Sequence, residues 1–373
     1  MTLWLNHTID ERIAMLQRAE EKFRINQVAI EKDWWVTVVL NALFKCSCAD
    51  QLIFKGGTSL SKGWNLIERF SEDIDLSVNH EFFGIEKTTK NQREKLRKKA
   101  RRYFLDTVSA ELDENLKKLG VEGYYIENVV EEFDEDGKAS PVASDKDPSV
   151  ILVHYESMLG HTIEYIPPRI KIEISCLSMN EPTEDRLISS YIEQTFPGED
   201  AAATATIRTV VPTRTFLEKA FLLCEEFQKQ TPRYVRMSRH LYDLERLMDT
   251  EFGKQALQDM DLYERIVKHR SIYYAVGYVD YSKLMPSEID FVPRQELMKD
   301  WEGDYAEMCN HFIYGQTLSF EKLLERIKEL QDRFRKAFLR LFLLNIAVDS
   351  LMSIKIAVEK ACEKKKSSNS LHM

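Results

Sequence analysis

The chain reads Lys55-Gly-Gly-Thr-Ser-Leu-Ser-Lys62 and, after six further residues, Arg69-Phe-Ser-Glu-Asp-Ile-Asp75. The apolar run 51–55 that leads into it predicts a short strand halted by the two glycines, with a helix following from Thr58 or Ser59 to Ile67. Polar and apolar residues alternate over 73–78, which predicts a second strand with one buried face. A strand–turn–helix–strand unit is therefore expected here.

The two glycines point to a ligand that approaches the backbone. Glycine lets the chain turn sharply and leaves room beside the main chain. The N–H groups of Thr58 and Ser59 are expected at a helix N-terminus, where anions bind favourably. The Ser59 hydroxyl can add a donor to a phosphate oxygen, so this turn is a candidate phosphate cradle.

The aspartates point to a metal. Asp73 and Asp75 are two residues apart on a strand, so both side chains project from one face with Cα atoms about 6–7 Å apart. Carboxylates this close repel each other, and a bound Mg²⁺ removes the penalty while sharing oxygen ligands with phosphates. An EF-hand is excluded because its glycine and final glutamate do not follow Asp73. A phosphate cradle beside a metal-binding pair suits transfer of a nucleotidyl group from an NTP.

The remaining chain predicts an α+β fold: a small mixed sheet with flanking helices, followed by an all-helical C-terminal domain. Helices are expected at 8–24, with a Thr8/Glu11 capping box, at 27–45, and over the charged segment 87–119. Further strands are expected at 121–133, 150–157, 169–175 and 206–212, with loops at 134–149 and 180–205. Helices follow Thr213, broken near Thr231-Pro232 and Pro286–Pro293, and the tail 363–370 is expected to fray. We place the boundary near 200–212, giving a domain 1–205 with a basic helical insert at about 85–120, and a domain 206–373 that completes the cleft.

Composition narrows the class of protein. The chain is 44% hydrophobic and 30% charged with only 13 Gly and 10 Pro, which excludes collagen-like, disordered and disulfide-scaffold classes. Six scattered cysteines without CxxC spacing favour a reduced, cytoplasmic protein. The Cys46-x-Cys48 pair has no second pair of Cys or His residues that would complete a zinc site. No targeting segment or membrane span is expected.

The net charge of −9 argues against a protein that binds polyanions over its whole surface, yet one segment is strongly basic. Residues 87–102 hold nine basic residues and one acidic residue, on an expected helix just after the aspartate pair. We interpret this segment as an RNA backbone contact in preference to a solvated charge run. The segment Lys268–Tyr274 is a second candidate.

The two quoted motifs resemble those of the AbiEii/AbiGii nucleotidyltransferase toxins, polymerase-β-like enzymes of bacterial toxin–antitoxin and phage-defence operons. Thr213-Arg-Thr-Phe-Leu-Glu-Lys219 is similar to the family's Glu-Lys helix, and Arg239-His-Leu-Tyr-Asp243 to its later helix. The resemblance covers 51–76 and 206–248 well and the rest loosely.

The resemblance implies roles for individual residues. The NTP phosphates would be held by Lys55, Gly56, Gly57, Thr58, Ser59, Arg69 and Ser71. Asp73 and Asp75 would carry Mg²⁺ or Mn²⁺, and Glu173 is the candidate third carboxylate. Lys219 would neutralise the triphosphate, and Asp243 would orient Lys219 or act near the attacking hydroxyl.

Structural alternatives stay open for several of these residues. The alternative for Arg69 is an ion pair with Glu72 in place of phosphate binding, and the alternative for Lys219 is a solvent-exposed position at a helix start. Asp243 lies one helical turn from Arg239 and Arg246 and could form an ion pair with them. Glu173 could be only the solvated face of its strand.

The function that the resemblance implies is Mg²⁺-dependent transfer of NMP from an NTP to RNA. The tRNA 3′ end is the expected acceptor, a block of translation the expected effect, and a cognate antitoxin encoded nearby the expected partner. Two other functions remain open: a nucleotidyltransferase that modifies a protein side chain or small molecule, and a non-catalytic regulator that binds nucleotide or RNA.

Overall fold

The computed structural model describes residues 3–85, 89–134, 137–159, 167–179 and 182–337. Cys362 and the predicted tail 363–370 lie outside these ranges. The helices are α1 (Ile9–Phe23), α2 (Gln27–Leu43), α3 (Gly56–Thr58), α4 (Lys90–Tyr103), α5 (Ser109–Lys118), α6 (Tyr191–Thr195), α7 (Pro212–Glu226), α8 (Ser238–Met248), α9 (Glu251–Ala256), α10 (Met260–His269) and α11 (Met298–His311), and residues 320–337 are also helical. The strands are β1 (Leu52–Lys55), β2 (Ile74–Val78), β3 (Tyr124–Asn128), β4 (Glu131–Phe133), β5 (Ala139–Pro141), β6 (Ser149–Tyr155), β7 (Arg169–Ser175), β8 (Thr183–Ser189) and β9 (Thr204–Val210).

A mixed sheet organises the N-terminal half, in the order β3-β6-β7-β2-β1-β9-β8. The central pair β1 and β2 is antiparallel, whereas β2 and β7, and β1 and β9, are parallel. The predicted α+β class with a mixed sheet and a helical C-terminal region is confirmed, and so is the capping box at Thr8 and Glu11.

One face of the central strands is core and the other carries charge. Ile74 and Leu76 are fully buried in a cluster that includes α2, which is buried almost all round. On the opposite face the register places Asp75 beside both Lys55 of β1 and Glu173 of β7. The strand period of two therefore separates the packed face of β2 from the face that carries the charged residues.

A second apolar cluster lies on the helical side and includes Leu60 and Ile67 from the first half of the chain. These two residues pack with helices α7, α8, α10 and α11, so the segment after the glycines is anchored in the C-terminal core. The predicted domain boundary near 200–212 stays a prediction.

Several expected elements differ in the structure. The helix predicted to 67 is a short turn, α3, continued by a π-helix over Ser59–Gly63. The hairpin β4–β5 overlaps the predicted loop 134–149, and the predicted loop 180–205 contains β8 and α6. Strand β8 lacks an apolar period because it is an edge strand, held by backbone pairing with β9 and largely open to solvent. In the described ranges, no helix is long and apolar enough to cross a membrane.

Candidate active site

The glycine turn lies against the aspartate strand. Gly56 has φ +79°, and a Cβ atom on it would overlap the Asp75 carboxylate. A Cβ on Gly57 would lie 2.5 Å from Nη2 of Arg69 and 2.9 Å from Oγ of Ser71. Both positions therefore require glycine for close approach, and Gly56 also for its positive φ. The turn, the aspartates and the 69–71 loop are packed into one unit.

The hydroxyls after the glycines are used within this unit. Thr58 Oγ1 donates to the Asp73 carbonyl at 2.5 Å and lies 2.9 Å from Ser71 Oγ. The Ser59 hydroxyl donates to the Gly56 carbonyl at 2.9 Å, and its backbone N–H is bonded to the same carbonyl. Both side chains are buried. Thr58 thus fixes the backbone of Asp73, and Ser59 closes the turn instead of presenting the free donors expected from the sequence.

Asp73 and Asp75 are held close to other carboxylates in a partly buried site. Burial, followed by the charges of Glu72 and Glu173, raises the pKa of Asp73. Burial, followed by Glu173, raises the pKa of Asp75 to about 6 despite the nearby Lys55. Negative charge here is under-compensated by the protein, which suits a divalent cation with hard oxygen ligands.

The third candidate carboxylate, Glu173, is beside Asp75 in the sheet but its side chain pairs with Lys171. Accordingly, in the part of the chain that the structure describes, no three acidic, His or Cys side chains form a group that could hold a metal ion. Mg²⁺ is commonly bound by one or two carboxylates plus substrate phosphates, so the pair Asp73 and Asp75 still fits that ion.

Lys55 lines the same face. Its Nζ donates to Ser178 Oγ at 2.8 Å. Burial works against its charge, but Tyr274, Glu218 and Asp75 together raise the pKa of Lys55. Glu218, paired with Arg214 at 2.9 Å, has its pKa lowered to about 2 because Arg214, Lys55 and Arg270 outweigh its burial. The ammonium is therefore charged and lies beside the carboxylates.

Asp243 joins two cations from distant parts of the chain. Arg69 binds it through Nε at 2.7 Å and Nη2 at 2.8 Å, and Lys219 Nζ lies 2.7 Å from Oδ2. All three side chains are buried. Burial would raise the pKa of Asp243, but the two cations hold it far below its usual value.

This triad corrects three alternatives from the sequence. Arg69 bridges to Asp243 and not to Glu72, whose partners are Lys32 at 2.6 Å and Arg236 at 2.9 Å. The ion-pair partners of Asp243 are Arg69 and Lys219. Lys219 is a buried residue in the middle of α7, because that helix begins at Pro212.

Arg239 is the residue that sequence reasoning missed. It lies one turn before Asp243 on α8, and its pKa is lowered by burial and by Arg69 and Arg236. Its Nε is shielded from solvent and has no hydrogen-bond partner among the described residues. The spacing Arg239–Asp243 was the available signal, since it predicts a common helix face, but it suggested a local ion pair.

The basic helix α4 lies at the other end of β2 from Asp73. Lys99 donates to the Phe83 carbonyl, just past the end of β2, and β2 spans ~17 Å. Arg97 pairs with Asp145, and Arg101 donates to the Val129 carbonyl, so part of the charge is used internally. Lys87 lies outside the described residues. In the second candidate segment, Arg270 is bound by Glu225.

Comparison with known proteins identifies the family. The family model described as "Nucleotidyl transferase AbiEii toxin, Type IV TA system" matches residues 38–326, which include the glycine turn, the aspartates and the Asp243 triad. No curated protein matches the chain. Among solved structures, the chain is similar to MenT4, a nucleotidyltransferase toxin from Mycobacterium tuberculosis H37Rv, with 14% identity over 83% of this chain and 84% of that one and a TM-score of 0.47. On the family match, which spans most of its length, the chain belongs to the AbiEii nucleotidyltransferase toxins of type IV toxin–antitoxin systems.

Proposed function

We propose that this nucleotidyltransferase moves NMP from an NTP to an RNA acceptor in an Mg²⁺-dependent reaction. The proposed acceptor is the 3′ end of tRNA, and the proposed effect is a block of translation. The observation that carries the proposal is the packing of the Gly56–Gly57 turn against Asp75. This contact supports the proposal because it brings the glycine turn, the proposed phosphate cradle, beside two under-compensated carboxylates.

The phosphates are assigned to the turn and to the cations around it. Gly56 and Gly57 let the turn pack directly against Asp75, Arg69 and Ser71, with Thr58 and Ser59 shaping the turn, so the phosphates would bind beside these side chains. The positive groups of the cleft are Lys55, Arg69 and Lys219, and Ser71 lies beside the turn. Because Asp243 already neutralises part of the charge on Arg69 and Lys219, these groups would offset part of the charge of a triphosphate, and the bound cation would offset more.

Asp73 and Asp75 would hold Mg²⁺ or Mn²⁺. When bound, the ion would polarise the α-phosphate and neutralise developing charge on the leaving group. Glu173 would complete the acidic group after exchanging its contact with Lys171, because its backbone is in register with Asp75. In this proposal Lys171 neutralises the negative charge of Glu173 until the substrate binds.

In the reaction, the acceptor hydroxyl oxygen would form a bond to the α-phosphorus and lose its proton to solvent, while the bond from that phosphorus to the oxygen that bridges to the β-phosphate breaks. Pyrophosphate leaves towards the cationic side. Asp243 acts as a positioning residue: both of its oxygens are occupied by Arg69 and Lys219, so it aims these cations rather than meeting the attacking hydroxyl.

RNA as the acceptor is supported by the exposed cations of α4. Lys95 is exposed and has no ion pair among the described residues, while Lys98 and Arg102 pair only with residues of the same helical segment. These groups lie at the end of β2 remote from Asp73, which fits an RNA body bound there with its 3′ end reaching the aspartates. A cognate antitoxin and action in the cytoplasm complete the proposal.

The test is transfer of label. We would incubate the purified chain with Mg²⁺, total tRNA and each α-labelled NTP in turn, and compare it with Asp73→Asn. Label on tRNA that requires the chain, Mg²⁺ and Asp73 is the expected result. Label found only on protein or small molecules would refute the RNA acceptor, and pyrophosphate release unaffected by Asp73→Asn would refute the assigned centre.

A further inference from the structure

The Lys55 ammonium is held away from the carboxylate that faces it. Lys55 is directly opposite Asp75 in the antiparallel pair β1–β2, so both side chains lie on one face with Cβ atoms about 4.5–5.5 Å apart. Opposite charges at such positions attract each other. Among the described residues, however, the ammonium donates to the Ser178 hydroxyl at 2.8 Å and forms no ion pair with a carboxylate. Asp75 is therefore left open although a cation lies across the strand pair.

Two neighbouring cations do pair with carboxylates. Lys171 is bonded to Glu173 on the adjacent strand face. Arg214 lies 2.9 Å from Glu218, a second carboxylate that acts electrostatically on Lys55. Lys55 is thus the exception, and a specific contact must hold its ammonium away from its strand partner.

The Ser178 hydroxyl is held in place by the helical half of the chain. An ammonium group only donates, so Ser178 Oγ accepts from Lys55 and can give its own hydrogen to the Tyr274 hydroxyl, 3.2 Å away. One residue earlier in the same loop, the Leu177 carbonyl accepts from His269 Nε2 at 2.6 Å. Ser178 is almost fully buried. Two contacts from the end of α10 and the turn after it thus fix the loop that receives the ammonium.

The Tyr274 ring is itself anchored. It ends a π-helix that begins at Arg270 and continues α10, and the following Ala275 has φ +46°. The Arg270 guanidinium lies 4.9 Å from the ring centre and donates through Nε to Glu225 at 2.6 Å. Arg270 and Glu225 are both buried. A buried ion pair therefore fixes the ring whose hydroxyl meets Ser178.

We propose that Ser178 and Tyr274 are positioning residues that hold the Lys55 ammonium away from Asp75, so that this carboxylate stays open to the divalent cation. Both act through Lys55, and neither is assigned a contact with the cation or the phosphates. Without them the ammonium would turn to Asp75 across the strand pair and compete with the cation for the carboxylate oxygens. This inference rests on the proposed function, in which Asp75 is a ligand of Mg²⁺ or Mn²⁺.

The test measures binding of Mn²⁺ alone by isothermal titration calorimetry, without NTP or RNA. Ser178→Ala removes the direct acceptor and should weaken Mn²⁺ binding about fivefold or more, because an ion pair with Asp75 replaces the lost hydrogen bond. Tyr274→Phe keeps the ring, so a smaller loss of about two- to threefold is expected. The matched control is Tyr273→Phe, whose lost hydroxyl lies 3.1 Å from His80 Nε2, and it should bind Mn²⁺ as the wild type does.

Label transfer gives a second readout. In Ser178→Ala the Mg²⁺ concentration for half-maximal transfer should rise by the same factor as the Kd for Mn²⁺, while kcat at saturating Mg²⁺ changes less than twofold. A fall in kcat that saturating Mg²⁺ does not restore would indicate damage to the site and would overturn the inference.

A Lys55→Met background separates positioning from a structural effect. No ammonium can then reach Asp75, so adding Ser178→Ala should leave Mn²⁺ binding unchanged. Equal weakening in both backgrounds, or normal binding by Ser178→Ala in the wild-type background, overturns the inference. Asp75→Asn checks the proposed function separately: if it binds Mn²⁺ as tightly as the wild type, the assigned metal site is wrong and the inference falls with it. If Asp75→Asn binds weakly while Ser178→Ala binds normally, the inference alone is refuted.

Discussion

Replacing Asp243 by Asn separates a positioning role from direct chemistry. The change keeps the shape of the side chain but removes the charge that Arg69 and Lys219 share. Asp243 is fully buried, so water cannot take over as a partner. Both cations would remain in a site that already lowers the pKa of Lys219, by burial and by the like charges of Arg69 and Arg239.

The cost follows from the buried geometry. Breaking a buried ion pair by removing one partner destabilises a protein by about 3–5 kcal/mol. For a chain longer than 250 residues this corresponds to a fall of about 5–15 °C in Tm. Nucleotidyl transfer should fall by at least ~100-fold, because two cations near the triphosphate lose their orientation together.

The assay pairs differential scanning fluorimetry with transfer of label from NTP. Arg246→Gln is the matched control on α8, since it breaks a half-exposed pair with Glu68 and should cost about 1 kcal/mol. A triple change, Arg69→Met with Lys219→Met and Asp243→Leu, should recover much of the Tm but no activity. An Asp243→Asn chain that loses activity at an unchanged Tm would refute the positioning role and favour direct action at the hydroxyl.

Three further outcomes follow from single side chains. Gly56→Ala should lose at least ~10-fold in transfer because of the overlap with Asp75, whereas Gly84→Ala, also at positive φ but in open space, should only lose about 1–2 kcal/mol of stability. Burial lowers the pKa of His269 to about 4. The neutral imidazole therefore contributes its full stabilisation above about pH 6.5, and this contribution is lost as the pH falls towards 4, because the unfolded chain takes up the proton first. Urea unfolding between pH 7 and 4.5 should show a loss of about 2–3 kcal/mol that His269→Gln reduces. Lys95→Glu should weaken RNA binding and flatten its salt dependence, measured by filter binding against Lys322→Glu; equal effects would contradict a role for α4.

The sequence predicted the central unit because its signals are local. The glycine pair, the alternation over 73–78 and the capping box at Thr8 each depend on neighbours within a few residues. Those elements appear where expected, although the helix after the glycines is shorter than predicted. The sequence alone does not show why position 56 requires glycine. The structure shows that the Asp75 side chain occupies the space that a Cβ atom at Gly56 would need.

Partners far apart in the chain could not be assigned from the sequence. Arg69 and Asp243 are separated by 174 positions, and Lys32 and Glu72 by 40. Nothing in the local pattern distinguishes the true partner of a buried charge from a nearby residue of opposite sign. Edge strand β8 was missed for a related reason, because backbone pairing with β9 holds it and no apolar period is required.

The alternative that paired Asp243 with Arg239 also hid the role of Arg239. Had Asp243 paired with Arg239 at one helical turn, the guanidinium would have been neutralised within α8 and could contribute little to a ligand. Because Asp243 is used by Arg69 and Lys219, Arg239 forms no ion pair with it, and the Arg239 Nε is shielded from solvent without a hydrogen-bond partner among the described residues. Asp73 and Asp75, which interact electrostatically with Arg239, carry negative charge that the protein only partly compensates. A ligand that relieves both imbalances must present a cation to the aspartates and an anion to Arg239, and Mg²⁺-bound NTP has both.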